Sequence, residues 1–169
     1  MRISFNWPVN KPNNGPSFFL FRLSQELKKS GIEIVDDPYS SHIYLSFIQD
    51  DPSKILSLSK HGIKTIQRLD NIYFDSKNTI GNSSVLNKSI LETYRVVDVV
   101  VFQSEFSKNL IQHHFGNKNH VIIHNGISLG PQKIEDNNVI ICSASWRRHK
   151  RLKEIIDVFL KLDSSYQLI

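Results

Sequence analysis

The chain has 169 residues, of which 40% are hydrophobic, and a formal net charge of +5. This length and apolar content can bury one good core and part of another, so we expect a globular chain. The sequence has no run of eighteen apolar residues and no apolar segment of signal-peptide length near Arg2, so we expect a cytoplasmic chain that neither spans a membrane nor is exported. The single cysteine, Cys142, cannot form an internal disulfide and is expected to be a small core residue.

The first part of the chain alternates between strand-like and helix-like segments. Apolar runs predict strands over 2–7, 32–35, 43–48 and 63–69. Pro16 suits the first position of a helix that places Leu20, Leu23 and Leu27 on one face and ends at Gly31. The Asp-Asp-Pro-Ser segment at 50–53 predicts the start of a second helix that stops at Gly62.

The remaining segments continue this alternation. Residues 70–82 lack a clear period and predict a long loop on a ligand-facing rim. A helix from about Ser84 carries a stripe of Leu86, Ile90, Tyr94 and Val97, and residues 99–102 predict a strand. Ser104 is expected to cap a helix that ends at Gly116. Its predicted buried stripe consists of Phe106, Leu110, Ile111 and Phe115. Residues 121–123 predict a further strand.

This order predicts the α/β fold class, a doubly wound, Rossmann-like parallel sheet covered on both faces. We predict a first domain over 1–127, a polar linker over 128–138, and an incomplete second α/β unit over 139–169 that begins strand, helix, strand. Ligands of such a sheet bind beyond the carboxyl ends of its strands. Those ends are predicted at the loops 8–16, 36–41, 48–53, 70–82, 103–105 and 124–128.

Several motifs, taken in order, resemble a known family. The segment VVFQSEFSKNLIQHHFG is followed by VIIHNGI and, at linker distance, by SASWRRHKRL. With Gly15-Pro16 after the first strand and Arg-Leu-Asp at 68–70, this resembles the retaining glycosyltransferases of family 4, the group 1 enzymes of GT-B fold. The resemblance covers nearly the whole chain. It implies an acceptor-side domain followed by the start of a donor-binding domain, and transfer of a sugar from a nucleotide-diphosphate sugar to a hydroxyl with retention.

The resemblance also implies which residues contact the donor diphosphate. By analogy, Asn14 and Gly15 lie in a loop that approaches the phosphates, although Gly15 could equally be a plain loop glycine. Arg147 and Lys150 match a cationic pair that neutralises the leaving group, and Arg148 is an alternative to Arg147. The competing interpretation is a solvated helix start with scattered cations. Arg151 stands where the family usually has Gly, which leaves the shape of that loop open.

The other candidate residues line the predicted cleft or hinge. Asp70 is the candidate catalytic residue and could contact sugar hydroxyls, or could instead cap a turn. Arg68 could be its structural partner, because residues two apart on a strand share a face. Ser104 and Glu105 match the start of a helix, where a structural cap is favoured, and Asn125 and Gly126 match a turn before the linker. Asn71 replaces the family's Gly after Asp70, and Ser128 replaces a frequent Asp.

The remaining motifs exclude several kinds of site and leave alternative functions open. His113 and His114 point about 100 degrees apart on a helix, and His120 and His124 lack a third ligand nearby, so no metal or other cofactor is expected. No Walker loop or GxGxxG is present. The expected partners are a nucleotide-diphosphate sugar, a hydroxyl acceptor, and a donor-domain chain or membrane surface. The alternative functions are an accessory module that lacks catalysis and, less favoured, a basic nucleic-acid binder.

Overall fold

The computed structural model describes residues 1–9, 15–74, 83–126, 138–142, 151–162 and 164–168. The chain divides into two compact units, Met1–Gly126 and Ile127–Ile169. Within the described residues, no helix is both long enough and apolar enough to cross a membrane.

The first unit is built on a six-stranded sheet in which all neighbouring strands are parallel. Its strands are β1 (Arg2–Phe5), β2 (Glu33–Ile34), β3 (Ile43–Phe47), β4 (Lys64–Leu69), β5 (Val99–Phe102) and β6 (His120–Ile122). The helices are α1 (Gly15–Lys29), α2 (Pro52–Lys60), α3 (Ser83–Val96) and α4 (Glu105–Phe115), with a short 3-10 helix at Pro38–Ser40. The strand order is β2-β1-β3-β4-β5-β6, which confirms the predicted Rossmann-like parallel sheet.

The main core lies on the sheet face that carries α2, α3 and α4. Tyr44, Val100 and Phe102 point from the strands into this core and are essentially inaccessible to solvent. They pack with apolar side chains from the three helices, Ile55 and Leu58 of α2, Ile90 and Tyr94 of α3, and Ile111 of α4. Alternate residues of the same strands point to the opposite face. There Phe47 packs against Phe19 of α1, with ring centroids 5.5 Å apart.

The helix ends follow the predicted signals. Gly31, Gly62 and Gly116 all have positive φ just beyond α1, α2 and α4, a conformation that glycine adopts at little steric cost. Ser104 caps α4, where its side chain accepts a hydrogen bond from the backbone N–H of Ser107. Asp51 caps α2 in the same way through the N–H of Ser53.

Two of the predicted helical stripes are partly wrong. Phe106 is 72% exposed, because the buried line of α4 runs through Ser107 and Ile111, and Phe106 lies about 100 degrees away from Ser107 around the axis. Leu86 is exposed in the first turn of α3, whereas Ile90, Tyr94 and Val97 are buried as predicted. Cys142 follows the strand at Val139–Ile140 and is only half-buried, so it is not a core residue.

The face that carries α1 is covered unevenly. On this face, Phe19 of α1 packs against Phe47 and Arg68. The core on the other face, by comparison, includes residues of three helices, α2, α3 and α4. On the β5 and β6 side, Val121 is 46% exposed, and Ile123, just beyond β6, is 57% exposed. The expectation of a sheet buried on both faces is therefore only partly met in the described residues.

The second unit contains a parallel pair of short strands, β7 (Val139–Ile140) and β8 (Gln167–Leu168), and the helix α5 (Leu152–Phe159) between them in the chain. Arg151 precedes α5 with φ 56°, the left-handed region that favours glycine. Arg151 thus adopts, without being a glycine, a backbone conformation that glycine takes at little steric cost. Its Nε lies 3.3 Å from Glu154 Oε1 in the first turn of α5.

Candidate functional site

The candidate site lies at the carboxyl edge of the sheet, next to the point where the strand order reverses. The chain leaves β1 toward β2 and leaves β3 toward β4, so a crevice is expected between the ends of β1 and β3. Asn6 ties these two ends together. Its Nδ2 donates to the carbonyls of Phe47 (3.2 Å) and Gln49 (2.9 Å), and its Oδ1 accepts from Phe47 N (2.9 Å).

Arg68 is the buried cation of this edge. Its position on β4 pairs with Phe47 on β3, and its side chain is only 4% exposed. The guanidinium carbon lies 4.2 Å from the ring centroid of Phe19, a cation–π distance that joins α1 to the sheet. Burial lowers the pKa of Arg68, and the nearby carboxylate of Asp70 opposes this, so the side chain remains charged.

Four side chains at the ends of β4, β5 and β6 form a closed set of polar contacts, which we call the polar ring. Arg68 Nη2 lies 3.1 Å from Asp70 Oδ1 and also donates a hydrogen bond to Asn125 Oδ1. Asn125 Nδ2 donates to Gln103 Oε1 at 3.1 Å, and Gln103 Nε2 donates to the backbone carbonyl of Asp70 at 3.2 Å. The polar ring therefore fixes both the backbone and the side chain of Asp70.

Asp70 and Asn125 are the accessible members of the polar ring. The side chain of Asp70 is 39% exposed and Asn125 is exposed, whereas Arg68 is almost fully covered. Asp70 Oδ1 is buried and accepts no hydrogen bond of good geometry. Its contact with Arg68 is therefore an electrostatic ion pair. The second carboxylate oxygen of Asp70 thus provides the acceptor that faces outward.

The start of α4 supports the polar ring from one side. Ser107 donates its hydroxyl to the backbone carbonyl of Asp70. Ser104 caps the helix, and Glu105 pairs with Lys108 at 2.5 Å within the first turn. Ser104 and Glu105 thus have structural contacts that account for their positions.

The other predicted residues lie in different settings. Gly15 is the first residue of α1, so the loop predicted over 8–16 ends before it. A Cβ added to Gly15 or to Gly126 would meet no described atom within 4 Å. Asn71 does not take the left-handed conformation that favours glycine, and its Oδ1 accepts from Ile72 N at 2.9 Å. Asn14, Arg147, Arg148, Lys150 and Ser128 lie outside the described residues.

Sequence reasoning did not single out Gln103, Asn6 or Phe19. Gln103 falls in the predicted loop 103–105, so its position alone placed it at the ligand-facing edge, whereas Asn6 lay inside the predicted strand 2–7 and follows β1 directly only in the structure. Phe19 gave no comparable signal, because its role depends on which strand residue α1 covers.

A separate recess of about 470 Å³ lies beside residues 72–74. Its lining includes Tyr73, Phe74, Lys88 and His114. Asn87 closes one side by exchanging two hydrogen bonds with the backbone of Tyr73, at 2.8 and 2.7 Å.

Among the described residues, no group of three His, Cys, Asp or Glu side chains is arranged to hold a metal ion. A scan against models of known protein families found no match. A search of the curated proteins likewise found none.

Proposed function

We propose that this chain is a retaining glycosyltransferase that uses a nucleotide-diphosphate sugar, with Met1–Gly126 as its acceptor side and Ile127–Ile169 on its donor-binding side. The observation that carries the proposal is the partly exposed carboxylate of Asp70, fixed by buried Arg68 at the carboxyl edge of a parallel sheet. Ligands of such sheets bind at this edge, and a fixed carboxylate is a good acceptor for sugar hydroxyls. The order of motifs that resemble family 4 enzymes supports the same function.

In the proposed reaction, the departing diphosphate and the attacking acceptor hydroxyl lie on the same face of the donor sugar. Asp70 accepts a hydrogen bond from a sugar hydroxyl and orients it, while the polar ring prevents the carboxylate from turning away. By resemblance, Arg147 or Arg148 with Lys150 neutralises the charge that develops on the diphosphate, and Asn14 and Gly15 lie beside it. No covalent nucleophile and no metal is required.

The surroundings of the enzyme follow from the same proposal. Its partners are a nucleotide-diphosphate sugar and a glycan or other hydroxyl acceptor. It acts in the cytoplasm, either free or attached peripherally to a membrane surface. Nucleic acid is not proposed as a partner, because the polar ring offers an exposed carboxylate and not an exposed cation.

The direct test is turnover of nucleotide sugars by the purified chain. Uridine, guanosine and adenosine diphosphate sugars are each supplied with a mixed panel of hydroxyl acceptors, and release of nucleoside diphosphate is measured. We expect release with one nucleotide, and loss of at least about 100-fold in Asp70→Asn, because a positioned group contributes on the order of 10²-fold. Glu26→Gln, which neutralises an exposed carboxylate on α1, is the matched control and should retain full activity.

An accessory module is the second candidate, and the exposed apolar side chains of the second unit favour it. Ile156, Val158 and Leu160 of this unit are all exposed. Such surfaces are usually covered by further protein. The same assay is therefore repeated with a separately expressed donor-binding domain from a family 4 enzyme. Turnover only in the mixture supports the accessory function, whereas no turnover in either arrangement contradicts both proposals.

A further inference from the structure

We infer that the polar ring binds an uncharged, hydroxyl-rich group and discriminates against a phosphate or carboxylate at the same position. This inference rests on the proposed function and adds the chemical class of the group bound beside Asp70. It is carried by the distribution of charge and of hydrogen-bonding groups at the polar ring.

The first argument concerns which charge an incoming ligand meets. Arg68 and Asp70 carry opposite charges, so the pair is neutral, but Arg68 is 4% exposed and Asp70 is 39% exposed. A ligand therefore meets the carboxylate first, while the cation lies beneath it and against the ring of Phe19. An anionic ligand would be repelled at contact distance, where like charges interact most strongly.

The start of α4 offers an anion little compensation. The amino terminus of a helix ordinarily attracts negative charge, but Glu105 occupies the first turn of α4 and Lys108 is already paired with it at 2.5 Å. Among the described side chains, Arg68 is the only cation in contact with the polar ring.

The second argument concerns hydrogen bonding. The outward oxygen of Asp70 can only accept, and the exposed amide of Asn125 has a second N–H beyond the one it donates to Gln103. A pair of adjacent hydroxyls satisfies both groups, since one hydroxyl donates to the carboxylate while the other accepts from the amide. A phosphate ester has only acceptor oxygens when ionised, so it leaves the carboxylate without a donor.

Half-buried Trp7 adds an apolar surface of the kind on which sugar rings pack. Its ring centroid lies 5.7 Å from that of Phe47, and Phe47 in turn lies 5.9 Å from the guanidinium carbon of Arg68. A hydroxyl-rich ring with apolar C–H faces matches this combination better than a compact anion.

The test compares sugars with and without a phosphate on the same chain. Glucose, galactose and mannose, and the 6-phosphate of each, are titrated while NMR records the side-chain signals of Asn125 and of Arg68 Nε. We expect at least one uncharged sugar to shift both signals. Its 6-phosphate should bind at least about tenfold more weakly, as expected for a like charge within a few ångströms. Glu26→Gln is the control and should behave as the wild type.

Removing the carboxylate should reverse this preference. In Asp70→Asn the polar ring gains a net positive charge, so we expect inorganic phosphate and the 6-phosphates to bind at least about tenfold more tightly than they bind the wild type. If that variant does not fold, the salt dependence of the wild type gives an independent measurement. Raising the ionic strength should narrow the gap between each sugar and its 6-phosphate, because the repulsion is screened.

Equal binding of a sugar and its 6-phosphate at low salt would overturn the inference, as would the absence of any shift with all three uncharged sugars. These outcomes are separate from those of the turnover assay. Selective binding without turnover contradicts the proposed function and leaves the inference intact. Turnover together with equal binding contradicts the inference alone.

Discussion

At the scale of single residues, Arg68 shows how a buried cation can be tolerated next to a partly exposed carboxylate. Its guanidinium has an aromatic ring on one side, an ion pair with Asp70 and a hydrogen bond to Asn125. Removing one member of such a set leaves the others without a partner in a poorly solvated place. The position of the Asp70 carboxylate and the stability of the fold are therefore coupled through one side chain, that of Arg68.

We expect Arg68→Met to lower the free energy of unfolding by about 2–4 kcal/mol, near the range for a broken buried ion pair. The exposed Arg22→Met is the matched control and should change it by less than about 0.5 kcal/mol. Urea denaturation measures both. In the double variant with Asp70→Asn, the loss should be smaller than the sum of the two single losses, and strict additivity would show that the pair is not coupled.

Ile48 has a strained backbone beside the same site. Its φ of 68° lies in the left-handed region, which a β-branched residue rarely adopts, and its N–H donates to the carbonyl of Arg68 at 3.1 Å. No sequence pattern indicated this conformation, because the strand predicted over 43–48 treated Ile48 as an ordinary extended residue.

This strain predicts that glycine is the more stable replacement for Ile48 and alanine the less stable one, the reverse of the usual order in a strand. Because only glycine adopts positive φ without steric cost, Ile48→Gly should be more stable than Ile48→Ala by about 1 kcal/mol. At Ile66, inside β4, the order should be the usual one, with Ala more stable than Gly. Chemical denaturation of the four variants measures this, and the same order at both positions would contradict the strain.

At the scale of elements, a cluster of three polar side chains joins α2 to the sheet. Tyr44 of β3 donates its hydroxyl to Asp50 and accepts from Lys54 Nζ at 2.5 Å. Asp50 in turn contacts α3, because its N–H donates to Thr93 Oγ1 at 2.9 Å. The cluster fixes the loop between β3 and α2 against the third helix.

Two buried tyrosines, Tyr44 of this cluster and Tyr94 of α3, make the free energy of unfolding depend on pH in the alkaline range. Burial, and then Asp50, raise the pKa of Tyr44, and burial also raises the pKa of Tyr94. The unfolded chain releases these protons at a lower pH than the folded chain does. The contribution is therefore complete below about pH 10, the ordinary tyrosine pKa, and is lost progressively above it.

We expect the free energy of unfolding to fall above about pH 10 in the wild type, and to fall less steeply in Tyr44→Phe, which has no phenol to titrate. Tyr94→Phe should reduce the slope as well. Urea denaturation between about pH 8 and pH 11 measures the slopes. Parallel curves for Tyr44→Phe and the wild type would exclude this role for Tyr44.

Local patterns in the sequence predicted the elements of this fold well and their contacts poorly. The Val-Val-Val-Phe run predicted β5 with its observed bounds, and Gly31, Gly62 and Gly116 marked helix ends, because these signals are contained within a few residues. Phe106 was misplaced because its apolar side chain fits the helical period of Leu110, Ile111 and Phe115, whereas the position that is buried in its place, Ser107, is polar. The side chains that the resemblance singled out in or beside the polar ring are those of Arg68, Asp70, Ser104, Glu105 and Asn125. The link from Asn125 through Gln103 to Asp70 could not be predicted, because it joins the ends of separate strands.

At the scale of the whole molecule, the uneven cover of the sheet is the main departure from expectation. Val121 and Ile123 present an apolar strip on the face that carries α1. Exposed apolar strips of this kind promote association. The exposed Phe106 at the start of α4 lies near the polar ring, since Ser107 contacts Asp70.

We expect Val121→Thr to change the free energy of unfolding by less than about 1 kcal/mol, because the side chain it replaces is half exposed. The variant should also remain monomeric at a higher concentration than the wild type in light scattering. Val101 is buried on the neighbouring strand, so Val101→Thr is the matched comparison. It should lower the free energy of unfolding by more than Val121→Thr does. A loss at Val121 as large as that at Val101 would show that Val121 is covered in solution.

The position of β1 inside the sheet has a consequence for synthesis on the ribosome. β1 is made before both of its neighbours, β2 and β3, and its registers join Arg2 to Glu33 and Ile3 to Ile43. At roughly 5–20 residues per second, translation leaves this apolar segment without either neighbour for about two seconds or more. The nascent chain therefore emerges with an internal strand of its sheet unpaired, and slower elongation between β1 and β3 would lengthen that interval.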